Sequence, residues 1–415
     1  MEEIRDILSP HFIEFIKEHS ADDIVKLILS RDKYPSIDIG LAATIIEGRR
    51  KIANKVPEWG ERFDLYYPNT LATEQSSSFR TATYKQQFIE EGTVIDLTGG
   101  LGIDTYYMAK KTERLIYLER DSQLCAAAQY NFAKLGATNI VTHNCEINKE
   151  NLSTVINGNK QTAQKTPYSL IYLDPDRRGS NNKRIYAISD CEPNIIDLKE
   201  ELFRHTNKIL VKVSPMADIK SLIKELPEVA STHILSIENE CKEVLLLLSK
   251  EQQYKPEEVK IACVNFTKNG SDNPFIFTYI DELHAIPDYA SHIKEYLYEP
   301  DSSILKAGAF KTISKIYGIE KLEINTHLYT SSKAIKEFPG RVFKVKEVME
   351  YNNRVLHNLS KIYPKANVSV RNFPLSADQL RKKADIEDGG DTYLIGTTIS
   401  IERRSTKKII ICERV

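Results

Sequence analysis

Val94-Ile-Asp-Leu-Thr-Gly-Gly-Leu-Gly-Ile-Asp-Thr105 decides the fold of this chain. An apolar run ends in an acid, passes a glycine-dense turn and opens a segment with helical spacing. That is the form of a first parallel strand turning into a helix, and nucleotide-type ligands bind at such strand ends. The glycines let backbone N–H groups approach a ligand, because a Cβ there would clash or forbid the turn.

Working outward, residues 91–250 alternate short apolar runs with helical segments, the pattern of a parallel sheet covered on both faces. Thr93–Leu97, Leu115–Leu118, Ile140–Thr142, Leu170–Leu173 and Ile209–Val213 are the five expected parallel strands. His233–Ile237 and Val244–Leu248 lie too close together for a crossover helix and predict an antiparallel hairpin at a sheet edge. Residues 1–90 read as a helical region, with apolar spacing over His11–Arg31 and Ile39–Lys55. Residues 251–332 mix strand-like Lys260–Asn265 and Phe275–Tyr279 with helix-like Ser303–Tyr317. Residues 333–415 predict strand Arg341–Val345, helix Asn352–Ile362, strand Ala366–Arg371, helix Ala377–Ala384 and strands around Tyr393–Ile401 and Lys408–Glu413. The fold class is therefore α/β, with a helical N-terminal region and C-terminal α+β modules.

No run approaches the ~20 apolar residues of a membrane span, and Met1-Glu-Glu-Ile-Arg-Asp6 lacks the form of a signal peptide. Six scattered cysteines without a C-x-x-C point to a reduced, cytoplasmic protein and to no cysteine-based metal site. Net charge is −1, but residues 333–415 carry 17 Lys+Arg against 10 Asp+Glu. A basic C-terminal module on an acidic body is the asymmetry expected of contact with a polyanion.

Glu119 ends the second strand, where an acid hydrogen-bonds the ribose of an adenosine. Two features argue against a dinucleotide: the third glycine of G-x-G-x-x-G is missing, and Asp104 would oppose a pyrophosphate. No Gly-Lys-Ser/Thr follows for a P-loop. A cofactor with a positive amino-acid end, S-adenosylmethionine, suits these acids better, with Asp96 facing its ammonium and Gly100 and Gly102 admitting it.

Asp96-Leu-Thr-Gly-Gly-Leu-Gly102, Tyr117-Leu-Glu-Arg-Asp121 and Leu173-Asp-Pro-Asp-Arg-Arg-Gly179 resemble the class I S-adenosylmethionine-dependent methyltransferases. The resemblance spans about 91–250 and implies a Rossmann-like sheet with cofactor contacts from Asp96, Thr98, Gly99, Gly100, Gly102, Glu119 and Asp174. Thr98 stands where many members have a glycine. The whole chain is similar to a bacterial group that adds a ferredoxin-like region, here 251–332, and a C-terminal THUMP-like domain, here 333–415. Phe338-Pro-Gly-Arg-Val342 and Asp388-Gly-Gly-Asp391 carry that likeness.

Asp174-Pro175 is expected beside the transferring methyl, its carboxylate orienting an incoming amino group as the catalytic residue. Relatives that methylate amino groups carry an aromatic where this chain has Arg177; Arg177 and Arg178 are expected to stack on a base or hold phosphate. Uracil-C5 methyltransferases share a similar Asp-Pro pattern but need a cysteine nucleophile, and Ser214 stands there instead. Asp104 reads as the cap of a helix beginning at Thr105. Cys145-Glu146 falls where such folds read adenine, and Thr73–Ser78 resembles the segment that closes over the methionine end. The THUMP-like resemblance implies RNA, tRNA or rRNA, as partner. Two alternatives stay open: methyl transfer to a protein or small molecule, and a non-catalytic binder of cofactor or RNA.

Overall fold

A computed structural model describes residues 2–158, 168–177, 188–251, 254–268, 270–271, 273–401 and 404–415. The chain divides into two units, Met1–Ala230 with Leu245–Gln253 and Ser231–Val244 with Tyr254–Val415.

In the first unit, β1 (Thr93–Asp96), β2 (Arg114–Glu119), β3 (Ile140–Asn144), β4 (Tyr168–Leu173) and β7 (Lys208–Val213) form the five expected parallel strands. Between β4 and β7 lies a short antiparallel pair, β5 (Asp176–Arg177) and β6 (Cys191–Glu192). The parallel strands lie in the order β3-β2-β1-β4-β7. Val94, Ile95, Leu115, Leu118, Leu170 and Ile171 are fully buried, which is why these strands read as continuous apolar runs. Strand order reverses between β1 and β4, so the chain leaves their carboxyl ends in opposite directions and opens a crevice there.

The first 90 residues are helical and share the core of this unit. Ile16, Ile45, Trp59 and Tyr67 pack in one cluster with Leu101, Ile103 and Tyr107 from beyond the glycine turn. The helix expected over His11–Arg31 is two helices, Pro10–Glu18 and Ile24–Leu29. The break follows from local polar chemistry: the Asp23 carboxylate accepts from Lys26 N–H at 3.0 Å and starts the second helix. Asn131 clamps the region from the other side. Its buried amide accepts from Tyr66 N–H at 2.8 Å and donates to Tyr66 C=O at 2.9 Å.

The second unit begins at Ser231 and takes in Ser231–Val244 of the hairpin formed by β8 (Val229–Ile237) and β9 (Glu240–Ser249), whose outer ends belong to the first. Its turn is only Glu238-Asn239, at φ 48 and 65, the left-handed pair that matches strand twist. The hairpin is not a sheet edge, contrary to expectation. β10 (Lys260–Thr267) pairs in parallel along β8, from Lys260↔Ser231 to Phe266↔Ile237. β9 itself carries the chain back, so this parallel pair needs no crossover helix. β11 (Gly270–Ser271) and β12 (Phe275–Phe277) then pair antiparallel with β10.

The remaining strands are β13 (Tyr296–Pro300), β14 (Glu320–Glu323), β15 (Thr326–Ser331), β16 (Gly340–Glu350), β17 (Asn367–Arg371), β18 (Thr392–Ile401) and β19 (Arg404–Arg414). They form one seven-stranded sheet in the order β14-β15-β13-β16-β19-β18-β17. Helices Asn353–Ile362 and Ala377–Ala384 cover it, Leu356, Leu359 and Leu380 packing on Leu394, Ile409 and Ile411. The helix expected over Ser303–Tyr317 is split into Ser302–Ala307 and Thr312–Tyr317 by Gly308, whose φ of 79 ends the first piece. Glu299 is 3% exposed and ion-pairs with Arg341 and Arg371, which gives the arginine of Phe338-Pro-Gly-Arg-Val342 a structural anchor.

The Asn131 clamp is testable. Asn131→Ala removes both hydrogen bonds to the Tyr66 backbone together with a buried amide, and urea titration should show a loss of about 1–3 kcal/mol in unfolding free energy. A loss indistinguishable from zero would mean that the helical region is held by apolar packing alone.

Candidate active site

The crevice at the carboxyl ends of β1, β2 and β4 is a cavity of about 610 Å³ within the first unit, a size suited to a small molecule. Its wall includes the glycine turn, the end of β2, the residues after β3 and β4, Lys212 of β7 and the segment Asn69–Ser77.

The turn is shaped by an aromatic ring and a carboxylate. A Cβ on Gly99 would fall 2.0 Å from the Tyr117 ring, so the turn lies flat on that side chain. Gly100 has φ +54, and a Cβ there would meet no protein atom within 4 Å, leaving open space over the turn. Gly100 N–H donates to Glu119 Oε2 at 2.7 Å, and Tyr117 O–H donates to Gly100 C=O at 2.6 Å. Gly102 N–H closes the turn on Gly99 C=O at 2.9 Å.

Glu119 also accepts from Asp121 N–H at 2.7 Å, which fixes its carboxylate in the wall. Asp96 has no exposed surface; it accepts from Thr98 N–H at 3.0 Å and from the Thr105 hydroxyl at 2.6 Å. Burial pushes its pKa up to about 7, against the pull of those two hydrogen bonds. Thr98 reaches across to the next strand: its hydroxyl accepts from Asp174 N–H at 2.6 Å. The Asp174 carboxylate, 37% exposed, ion-pairs with Lys212. Burial raises its pKa while the Lys212 ammonium opposes the rise.

The turn and strand ends thus bring Asp96, Thr98, Gly99, Gly100, Gly102, Glu119 and Asp174 to one cavity. Cys145 and Glu146 line it too, as do Gln75, Ser76 and Ser77 from the segment before β1, whereas Thr73 is buried. Arg177 pairs through its backbone with Cys191 in the β5–β6 ladder, and Arg178 lies outside the described residues. Arg120 approaches Asp176 at 3.5 Å and Glu192 at 3.7 Å beside the cavity.

Asp104 is not a cap. Gly102 holds that position, and Asp104 sits inside the first turn of the helix Ile103–Ala109. Its carboxylate accepts from Lys85 Nζ at 2.8 Å, the Ser77 hydroxyl at 2.8 Å and the Tyr172 hydroxyl at 2.7 Å. Burial works against its charge, but the ammonium groups of Lys85 and Lys212 outweigh burial and hold its pKa below the usual carboxylate range. Nothing in the local sequence marks Lys85, Tyr172 or Lys212 as site residues. Tyr172 and Lys212 sit within strand segments that otherwise read as apolar core, and Lys85 meets its partner only through the fold. Among the described residues of the wall, acids outnumber bases ten to three.

A ferredoxin-like domain matches residues 296–339 and a THUMP domain-like module matches 340–414. The crystal structure of a candidate methyltransferase from Porphyromonas gingivalis W83 is similar over 100% of this chain and 98% of that one, at 34% identity and a TM-score of 0.84. An rRNA methylase from Streptococcus thermophilus matches 42% of this chain and 95% of its own, at 16% identity and a TM-score of 0.30. TrmK of M. capricolum, solved with the cofactor product S-adenosyl-homocysteine, matches 42% of this chain and 70% of its own, at 11% identity and a TM-score of 0.31. No protein with a curated description matches.

The raised pKa of Asp96 sets a pH dependence. An unfolded aspartate ionises near 4 and the folded one near 7, so the folded chain holds the extra proton between those values. Stability contributed by this group therefore falls as pH rises through that window. Unfolding titrations from pH 4.5 to 7.5 should show Asp96→Asn losing less stability than the unsubstituted chain, by on the order of 1 kcal/mol per pH unit. Parallel curves would place the ionisation of Asp96 elsewhere.

Proposed function

Because the chain belongs to the class I S-adenosylmethionine-dependent methyltransferases, in the bacterial group with ferredoxin-like and THUMP-like modules, we propose that it methylates a base in structured RNA, tRNA or rRNA. The observation that carries the reading is the link from Thr98 to Asp174, which brings Asp174, the carboxylate proposed to bind the acceptor, to the cavity that Gly100 and Glu119 line.

The residues suit S-adenosylmethionine. Gly100 offers the space a side chain would fill, and the acid-rich wall favours a ligand bearing an ammonium and a sulfonium. Each Glu119 oxygen accepts one backbone N–H and keeps a lone pair for a ribose hydroxyl. Gly99, Gly102 and Thr98 shape the floor, and Asp96 lies beneath it. When bound, the cofactor supplies an electrophilic methyl group. Asp174 accepts an N–H of the incoming base and orients its nitrogen lone pair, so positioning supplies much of the rate. Pro175 stiffens the turn that presents it.

The wall also limits how RNA arrives. Phosphates meet repulsion from its carboxylates, whereas a neutral base does not, so the base enters and the backbone stays outside. Arg177 and Arg178 follow Asp174 in the chain and are assigned to phosphate on that position alone. In the second unit, Lys383 lies over the Tyr351 ring at 5.7 Å, and Tyr351 N–H donates to Lys407 C=O at 3.1 Å. Tyr351 thereby brings the exposed residues Lys383 and Lys407 of the THUMP-like module together as a candidate phosphate-tracking surface. Arg381, by contrast, is engaged by Asp378 and Asp388. Among the described residues no helix is long and apolar enough to cross a membrane, and scattered cysteines without a C-x-x-C suit a reducing cytoplasm. A second reading, transfer to an amine of a protein or small molecule, draws on the same acid-rich wall, which would welcome a cationic acceptor.

Incubation with radiolabelled cofactor and total RNA, followed by nucleoside mass spectrometry, tests the proposal; label confined to protein or small molecules would select the second reading. Asp174→Ala should lower methyl transfer at least about 100-fold while cofactor affinity stays within a few-fold. Unchanged turnover would remove Asp174 from its role. Glu119→Ala should weaken cofactor binding in calorimetry, and an unaltered Kd would count against the ribose assignment. Charge reversal of Lys383 and Lys407 together should weaken RNA binding and flatten its salt dependence by roughly two in log–log slope.

A further inference from the structure

We infer that Lys212 is a positioning residue, whose ammonium fixes the Asp174 carboxylate in the orientation and charge state that an acceptor N–H requires. The inference rests on the methyl-transfer reading above and adds a residue to it.

The geometry begins in the sheet. Leu173 of β4 pairs with Val211 of β7, so Asp174 and Lys212 are one step further along neighbouring parallel strands. Lys212 Nζ donates to Asp174 Oδ2 and approaches the Ser77 hydroxyl at 3.4 Å. The lysine side chain is only 14% exposed, so its charge depends on protein partners more than on water.

Several charges face Asp174. Lys212 comes from β7, Asp104 from the helix after the glycine turn, Lys85 from the helix before β1, and the buried carboxylate of Asp96 from β1. Lys85 is bonded to Asp104 at 2.8 Å. Lys212 is the lysine bonded to Asp174 itself. Without it, Asp174 would face two other carboxylates, and partial burial with like charge favours a bound proton. Protonation turns one oxygen of the carboxyl into a donor and removes the charge that makes the group a strong acceptor for the incoming N–H. Orientation would be lost with it, because Lys212 is the side-chain tether between β7 and the residue following β4.

The test reads the carboxyl group directly. Carbon-13 NMR of aspartate-labelled protein, with Asp174→Asn to identify the resonance, follows the Asp174 titration in the full chain. Lys212→Met should raise the titration midpoint by about one to three pH units, and Lys212→Arg should restore most of it. Lys212→Gln is read in the same way if circular dichroism shows that Lys212→Met misfolds. A midpoint that stays in place overturns the inference. In the methyl-transfer assay, the acid limb of the pH profile should move with the NMR midpoint while cofactor affinity stays within a few-fold; a uniform loss of rate with an unmoved limb also overturns it. If the unsubstituted protein transfers no methyl group to RNA, the functional reading fails separately, and the NMR titration still decides what Lys212 does.

Discussion

An ammonium group with no exposed surface is tolerable only against an anion, and Lys85 meets Asp104 at 2.8 Å with its side chain completely buried. The pair draws the helix before β1 onto the helix after it. Ser77 and Tyr172 donate to the same carboxylate, so the approach segment, the glycine-turn helix and β4 converge on one acid. Much of the cavity follows from that convergence. Asn69–Ser77 can line it because Ser77 is held down, and Lys212 can lie near the floor because Asp104 and Asp174 offset its charge.

On the opposite side, the substitution of threonine for glycine at position 98 is a gain of contact. The hydroxyl accepts the Asp174 N–H, tying the turn after β1 to the turn after β4. A glycine would leave that N–H to water and the two strand ends free to splay. Tyr117 does comparable work across the turn, donating to Gly100 C=O while its ring supports Gly99. The cavity floor is therefore tied by hydrogen bonds to both neighbouring strands, although its glycines alone would suggest mobility.

The parallel sheet was legible because strands buried on both faces must be apolar throughout, and the residues ending them, Asp96, Glu119 and Asp174, stood out as polar interruptions. Thr98 and the glycines followed from the same stretch. Lys85 was not legible, since its partner lies 19 positions on and no local pattern connects them. Lys212 and Tyr172 were hidden in strands, where a long side chain can bury its stem and turn its polar end to a neighbour. Asp104 misled because a carboxylate near a helix start usually caps, and only the fold brings an ammonium to it. β10 was recognised as a strand but not as a continuation of the sheet, because its pairing with β8 is set by the return path through β9. The two split helices turned on single residues, Asp23 and Gly308, which competed with otherwise continuous apolar spacing.

The seven-stranded sheet bears on how such a protein can be inherited. The matches to the ferredoxin-like and THUMP-like families meet between residues 339 and 340, yet β13 on one side pairs with β16 on the other from Tyr296↔Lys344 to Pro300↔Gly340. At the join a Cβ on Gly340 would fall 2.2 Å from the Glu299 carbonyl, so the seam is closed at backbone distance. Gene shuffling at that join would part a continuous ladder and leave two raw edges, each a template for self-association. Two modules that look interchangeable on a sequence map are, by their hydrogen bonding, bound to travel as a pair.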